Sequence, residues 1–223
     1  MQLPLSGLVR RVLLLEGETD ASYVQSASGK RVIKYDGITG ITSLASNLSE
    51  TQRKTFRNLL NLRPVDDLTK YDDDILAACS AQKINPALFK ALALMESQLG
   101  KQMTTGGEGS ARGFIHMTRS TYLPYADNAG VKAADMDALM LDPKRSIPVC
   151  AMHLKYLIDK FKTPEAVAFS VKNGEYKISK IKSGPDGSRK VSTEISNSDY
   201  TQITLALRAL FNTDGAFPVG KDL

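Results

Sequence analysis

The stretch INPALFKALALMESQLG, residues 84 to 100, leaves this chain few choices. Asn85 is a helix cap, Pro86 stands at the first helical position, and Gly100 lies just past the last turn. Between these signals Leu, Phe, Ala and Met occupy nearly every face, so the helix has no solvent side and must be enclosed by others. That predicts a mainly α domain built around a central helix. One residue breaks the pattern. Glu96 sits almost at the helix end, where negative charge opposes the macrodipole and an apolar row makes a carboxylate costly to desolvate.

The flanking sequence supplies the enclosure. Ser49 with Gln52 forms a capping-box signature ahead of the stripe Phe56, Leu59, Leu60, and Pro64 follows that helix. Asp72, Asp73 and Asp74 open the next helix as the dipole prefers. A glycine-rich loop, TTGGEGSARGF, separates the central helix from a short helical stretch, HMTRSTYLPYA. Asp142 with Pro143 and Thr163 with Pro164 start two further helices, the second ending at Gly174. Over 177–197, β-branched residues flank a Gly-Pro-Asp-Gly turn, which predicts a basic β-hairpin. A last helix is expected over 200–212, with Ile203, Leu207, Leu210 and Phe211 on one face.

The first 45 residues differ in character. LVRRVLLL and KRVIKYDG read as strands on either side of SASGK. With Pro64 and the polar VDDLTKYDDD as a boundary, residues 1–70 are expected to form a small, partly β region ahead of a helical domain over 71–223.

The 223 residues suffice for a true core. A charge of +5 favours an acidic partner, but no nucleic-acid-binding motif accompanies it, so no nucleic acid is expected. Cys79 and Cys150, among apolar neighbours, read as buried free thiols more readily than as a bridge. His116 and His153 are the sole histidines and no Cys or His cluster has zinc spacing, so neither a metal nor another cofactor is expected. No apolar run reaches the ~20 residues needed to span a bilayer. Arg10 and Arg11 lie inside the N-terminal apolar stretch instead of before it, which makes a poor signal peptide.

A carboxyl group at the edge of a buried face has its neutral form favoured by desolvation, and a protonated carboxylic acid is a general acid. Glu96 has the placement for that role, unless it reaches out to water as a boundary residue. The order and spacing of four segments weigh on this choice. INPALFKALALMESQLG, GSARGFIHMTRSTY, LDPKRSIPVCAMHLKYLIDKF and AVAFSVKNG together resemble the soluble lytic transglycosylases, relatives of goose-type lysozyme. Glu96 and Ser97 match that family's Glu-Ser pair. Ala111, Arg112, Gly113, Phe114 and Ile115 match its second motif, as does Thr121, but His116 replaces the usual glutamine and Arg119 the usual proline. The third motif, usually Ala-Tyr-Asn, is Ala168, Phe169, Ser170 here, with Asn173 and Gly174 downstream. The resemblance covers about residues 72–176.

The resemblance implies a lysozyme-like fold and cleavage of the MurNAc–GlcNAc bond of peptidoglycan, with Glu96 as the single acid and base. Glu108 or Asp127, facing it, would instead allow hydrolysis. Ser97 is a candidate contact to substrate or to Glu96, or a hydroxyl that only satisfies a helix-end carbonyl. Gly113, Phe114 and Ile115 are candidates to shape the cleft, and His116 to replace the lost amide. Phe169, Ser170 and Asn173 stand at the third motif, where core packing competes with a sugar contact. A wall enzyme with no clear export signal implies delivery by a larger assembly, here expected to be a bacteriophage virion acting in the host periplasm. Residues 1–64 would dock to other virion proteins by adding strands. Two alternatives stand beside this one: a tail or baseplate component that kept the fold and lost activity, and a secretion-system transglycosylase.

Overall fold

The computed structural model describes residues 23–25, 31–33, 41–61, 63–105, 111–128, 132–182 and 187–211. Two short strands, β1 (Tyr23–Gln25) and β2 (Arg31–Ile33), pair antiparallel with Val24 opposite Val32. The second falls inside the KRVIKYDG strand expected from sequence, whereas LVRRVLLL lies outside the described residues. Among the described residues the elements that follow are helices: α1 (Ile41–Leu44), α2 (Glu50–Leu60), α3 (Val65–Thr69), α4 (Asp72–Gln82), α5 (Pro86–Ser97) and α6 (Arg119–Asn128). A 3₁₀ turn (Ala133–Asp135) then leads into α7 (Met136–Leu141), α8 (Pro143–Phe161), α9 (Pro164–Asn173), α10 (Glu175–Lys182), α11 (Gly187–Ser196) and α12 (Asp199–Phe211).

The central helix is α5. Its Asn85 side chain accepts from the amides of Ala87 and Leu88, and every residue from Pro86 to Leu94 is buried. α12 packs along it most extensively, and α4, itself packed on α8, covers another side. Even its lysine is enclosed. Lys90 is 3% exposed, lies 2.6 Å from Asp72 Oδ1, and stands 5.0 Å from the centroid of the Phe211 ring. Burial lowers the Lys90 pKa and raises that of Asp72, each against the pull of its partner.

α1 and α2 belong to the same core. Ile41, Ala45, Leu48, Phe56 and Leu60 are buried, and both helices pack on α12. The Ser49–Gln52 capping box forms, and Gln52 also donates to Asp199 at 2.7 Å, tying α2 to the start of α12. Residues 41–60, read from sequence as part of a separate N-terminal region, are thus built into the helical core.

The β-hairpin expected over 177–197 is a pair of helices instead, α10 and α11. The β-branched content misled, while the spacing was helical: Ile178 and Ile181 are three apart, Val191 and Ile195 four apart. Ile178 and Ile195 are buried with Ala166 and Phe169 in a small second core. The described elements on either side of the Gly-Pro-Asp-Gly sequence are helices, not strands. Both cysteines are free and buried, and burial pushes both thiols up. No described helix is long and apolar enough to cross a membrane.

Candidate active site

α5 ends in an unusual way. Gln98, Leu99 and Gly100 all have positive φ (52°, 58° and 82°), so the chain turns sharply away just after Glu96. Ser97 fastens that turn: its buried hydroxyl donates to the Phe114 carbonyl at 2.8 Å and accepts from the Gly100 amide at 2.9 Å. Its bonds are all to backbone, so Ser97 joins the helix end to the loop after it.

That loop, residues 112–117, closes on itself through paired backbone bonds between Arg112 and Met117 at 2.8 and 2.9 Å. It is pinned from below. The Phe114 amide donates to Ser146 Oγ at 3.1 Å, and that hydroxyl bonds Tyr122, whose own hydroxyl lies 3.1 Å from Cys150 Sγ. Gly113 has φ +90°, and a Cβ there would run into the Tyr122 hydroxyl. Glycine is therefore required at 113 by backbone and by space. Phe114 is fully buried between Tyr71 and Phe89, as core.

The loop delivers Ile115 and His116 to a cleft of about 370 Å³ whose walls also include Glu96, Thr121, Ser170, Lys172, His153 and Glu175. This is within the size range of small-ligand sites. His116 Nδ1 lies 3.1 Å from Glu96 Oε2, and its Nε2 lies 2.6 Å from the Gln102 carbonyl. The Glu96 side chain is only 10% exposed, and its Oε1 is buried with no hydrogen-bond partner among the described residues. The hydroxyl of Tyr200, on α12, is likewise buried without a bond of ordinary length, yet it interacts with the Glu96 carboxyl. Burial, and then the neighbouring Glu96, raise the Tyr200 pKa well above its ordinary value, so the hydroxyl stays neutral.

Of the residues singled out from sequence, Glu96, Ile115, His116 and Ser170 line this cleft. Phe169 does not. It is 3% exposed in the second core, with Lys177 Nζ 5.3 Å from its ring centroid. The Asn173 amide donates to the Phe169 carbonyl at 3.1 Å, within its own helix. Glu108 lies outside the described residues; Asp127 is exposed and is not among the cleft residues.

Two cleft residues, Glu175 and His153, were missed, and so was Tyr200, which lies near Glu96 but not in the cleft wall. Glu175 lines one wall, bonded by Lys160 at 2.5 Å and by the Tyr156 hydroxyl at 2.9 Å. Burial works against its charge, but these two partners outweigh burial and hold its pKa below the usual carboxylate range. His153 stacks on Tyr156 and meets Tyr125 edge-on, and burial lowers its pKa to about 4. Tyr200 was the most findable. It opens the stripe that continues through Ile203, Leu207 and Leu210, so its ring was bound to face the central helix.

A central apolar helix that ends in one nearly buried glutamate, set in a cleft among surrounding helices, defines a lysozyme-like domain. Residues 74–191 match the transglycosylase SLT domain, more than half of the chain, and the protein belongs to that family. Membership supports a transglycosylase class of activity with peptidoglycan as substrate. Comparisons with curated proteins and with solved structures found no match.

Proposed function

We propose that the protein is a lytic transglycosylase that cleaves the MurNAc–GlcNAc bond with Glu96 as its only acid and base. Glu96 gives its proton to the glycosidic oxygen as the bond to the muramic C1 breaks. It then takes the proton of the same sugar's 6-hydroxyl as that oxygen closes on C1. The product ends in a 1,6-anhydro ring, and no water is consumed.

The observation that carries this scheme is the inequality of the two described carboxyls in the cleft. Glu175 is bound by an ammonium and a phenol and kept charged, a poor base with little freedom to activate water. Among the described residues Glu96 bonds no lysine or arginine; its partner is His116, with the Tyr200 hydroxyl close by but unbonded. A two-carboxylate hydrolysis would need a second carboxylate free to act.

Mass spectrometry of purified peptidoglycan incubated with the protein tests the scheme. Anhydro-ended fragments are expected. Reducing ends would transfer the second role to a water-activating group, and no fragments would favour the structural alternative.

A further inference from the structure

The Glu96–His116 contact carries information about protons. A carbonyl oxygen only accepts, so His116 Nε2, at 2.6 Å from the Gln102 carbonyl, must bear a hydrogen. Nδ1 then faces Glu96 Oε2 at 3.1 Å, with both side chains at most 10% exposed. With no further proton, two lone pairs would oppose each other in a nearly dry place, which is unfavourable. One proton between the two atoms removes the conflict, as imidazole with carboxylic acid or as imidazolium with carboxylate. The glutamine usual at this position, an amide with no titrating group, cannot share a proton in this way.

Two further features agree. His116 holds φ +46°, a left-handed conformation that is disfavoured for a non-glycine residue. The ring stays anchored at both nitrogens despite that cost. Oε1 is buried with no hydrogen-bond partner among the described residues, so Oε2, facing Nδ1, is the carboxyl oxygen with a partner to share the proton. Among the described residues, the other charged or titratable groups lining the cleft around the pair are Lys172 of α9, which lies 5.3 Å from the Tyr200 ring centroid, His153 of α8 and Glu175 of α10.

We infer that His116 is a positioning residue that holds, between its Nδ1 and Glu96 Oε2, the proton that Glu96 delivers. This rests on Glu96 being the acid. The proton leaves Oε2 for the glycosidic oxygen, and Nδ1 is briefly bare. The proton from the sugar 6-hydroxyl then returns to Oε2 and is shared again, so the pair ends as it began.

The test follows ¹⁵N-histidine NMR and peptidoglycan cleavage across pH in the full chain. Only two histidines exist, and the signal absent from His116→Gln assigns His116. Nε2 of His116 should stay protonated throughout, and the shared proton should be lost with the same midpoint as the alkaline limb of cleavage. His116→Gln, which cannot hold that proton, should move the alkaline limb of cleavage measurably. A bare Nε2 with a protonated Nδ1, or an alkaline limb unmoved in His116→Gln, would overturn the inference. Should the wild-type protein release no fragments at all, the function proposed above fails on its own, and the NMR result still decides where the proton lies.

Discussion

At the scale of single residues, the site depends on side chains that never touch a substrate. Gly113 is the clearest case. Alanine there would need a strained backbone and would displace Tyr122 from Ser146, the pair that holds up the loop bearing His116. Gly113→Ala should therefore destabilise by more than the ~1 kcal/mol of an ordinary glycine replacement and should lower cleavage as well. Paired thermal melts and cleavage assays check both effects. His153 makes a prediction about pH. Its pKa is lowered by burial to about 4, so the fold favours neutral imidazole. The unfolded chain binds that proton first, near pH 6.5, so the stabilisation is complete above that value and is lost as pH falls towards 4. The loss amounts to roughly 3 kcal/mol. Denaturant midpoints for wild type and His153→Gln should converge between pH 7 and 4.5; a constant difference would contradict this account. Glu96 itself was legible because a carboxylate on an apolar helix demands a reason. Glu175 was not, because nothing in GEYKI distinguishes a glutamate held by Lys160 from one in solvent.

At the scale of elements, caps and apolar spacing carried most of the fold. Asn85 with Pro86, Asp142 with Pro143, and Thr163 with Pro164 start helices where they were expected, each through side-chain bonds to the first amides. Over 177–197 the β-branched composition points to strands, but the helical spacing prevails. Helices with apolar residues three and four apart bury those residues whatever their intrinsic preference. The central helix also shows what pattern cannot reveal: Lys90 in KALAL gives no sign of its partner Asp72, eighteen residues away. Breaking that pair from one side leaves an uncompensated buried ammonium. Asp72→Asn should cost roughly 3–5 kcal/mol, whereas replacing both partners with apolar residues of similar volume should cost much less. Chemical denaturation of the single and double variants separates these outcomes; equal losses would mean that the pair is not the element's main polar constraint.

At the scale of the whole molecule, one core runs from Ile41 to Phe211, with α12 the helix on which α1, α2, α5 and α9 meet. A docking role for the N-terminal region, as part of a carrier particle, is therefore a proposal for residues 1–40 and not for α1 or α2. Deleting residues 1–40 should leave the thermal transition and cleavage largely intact while removing incorporation into the particle. Deletion through residue 64 also removes Phe56 and Leu60, both fully buried, and should unfold the domain. Normal incorporation after the shorter deletion would end the docking proposal. One glutamate in the cleft carries the proposed activity. Its most direct test is release of soluble glycan fragments from purified peptidoglycan by wild type and Glu96→Gln, at matched concentration and with both shown folded. The variant should be slower by about 10²–10⁴-fold, the contribution of a positioned acid–base group, with thermal stability equal or slightly higher because a charge is removed from a helix C-terminus. Wild-type rates from folded Glu96→Gln would contradict it.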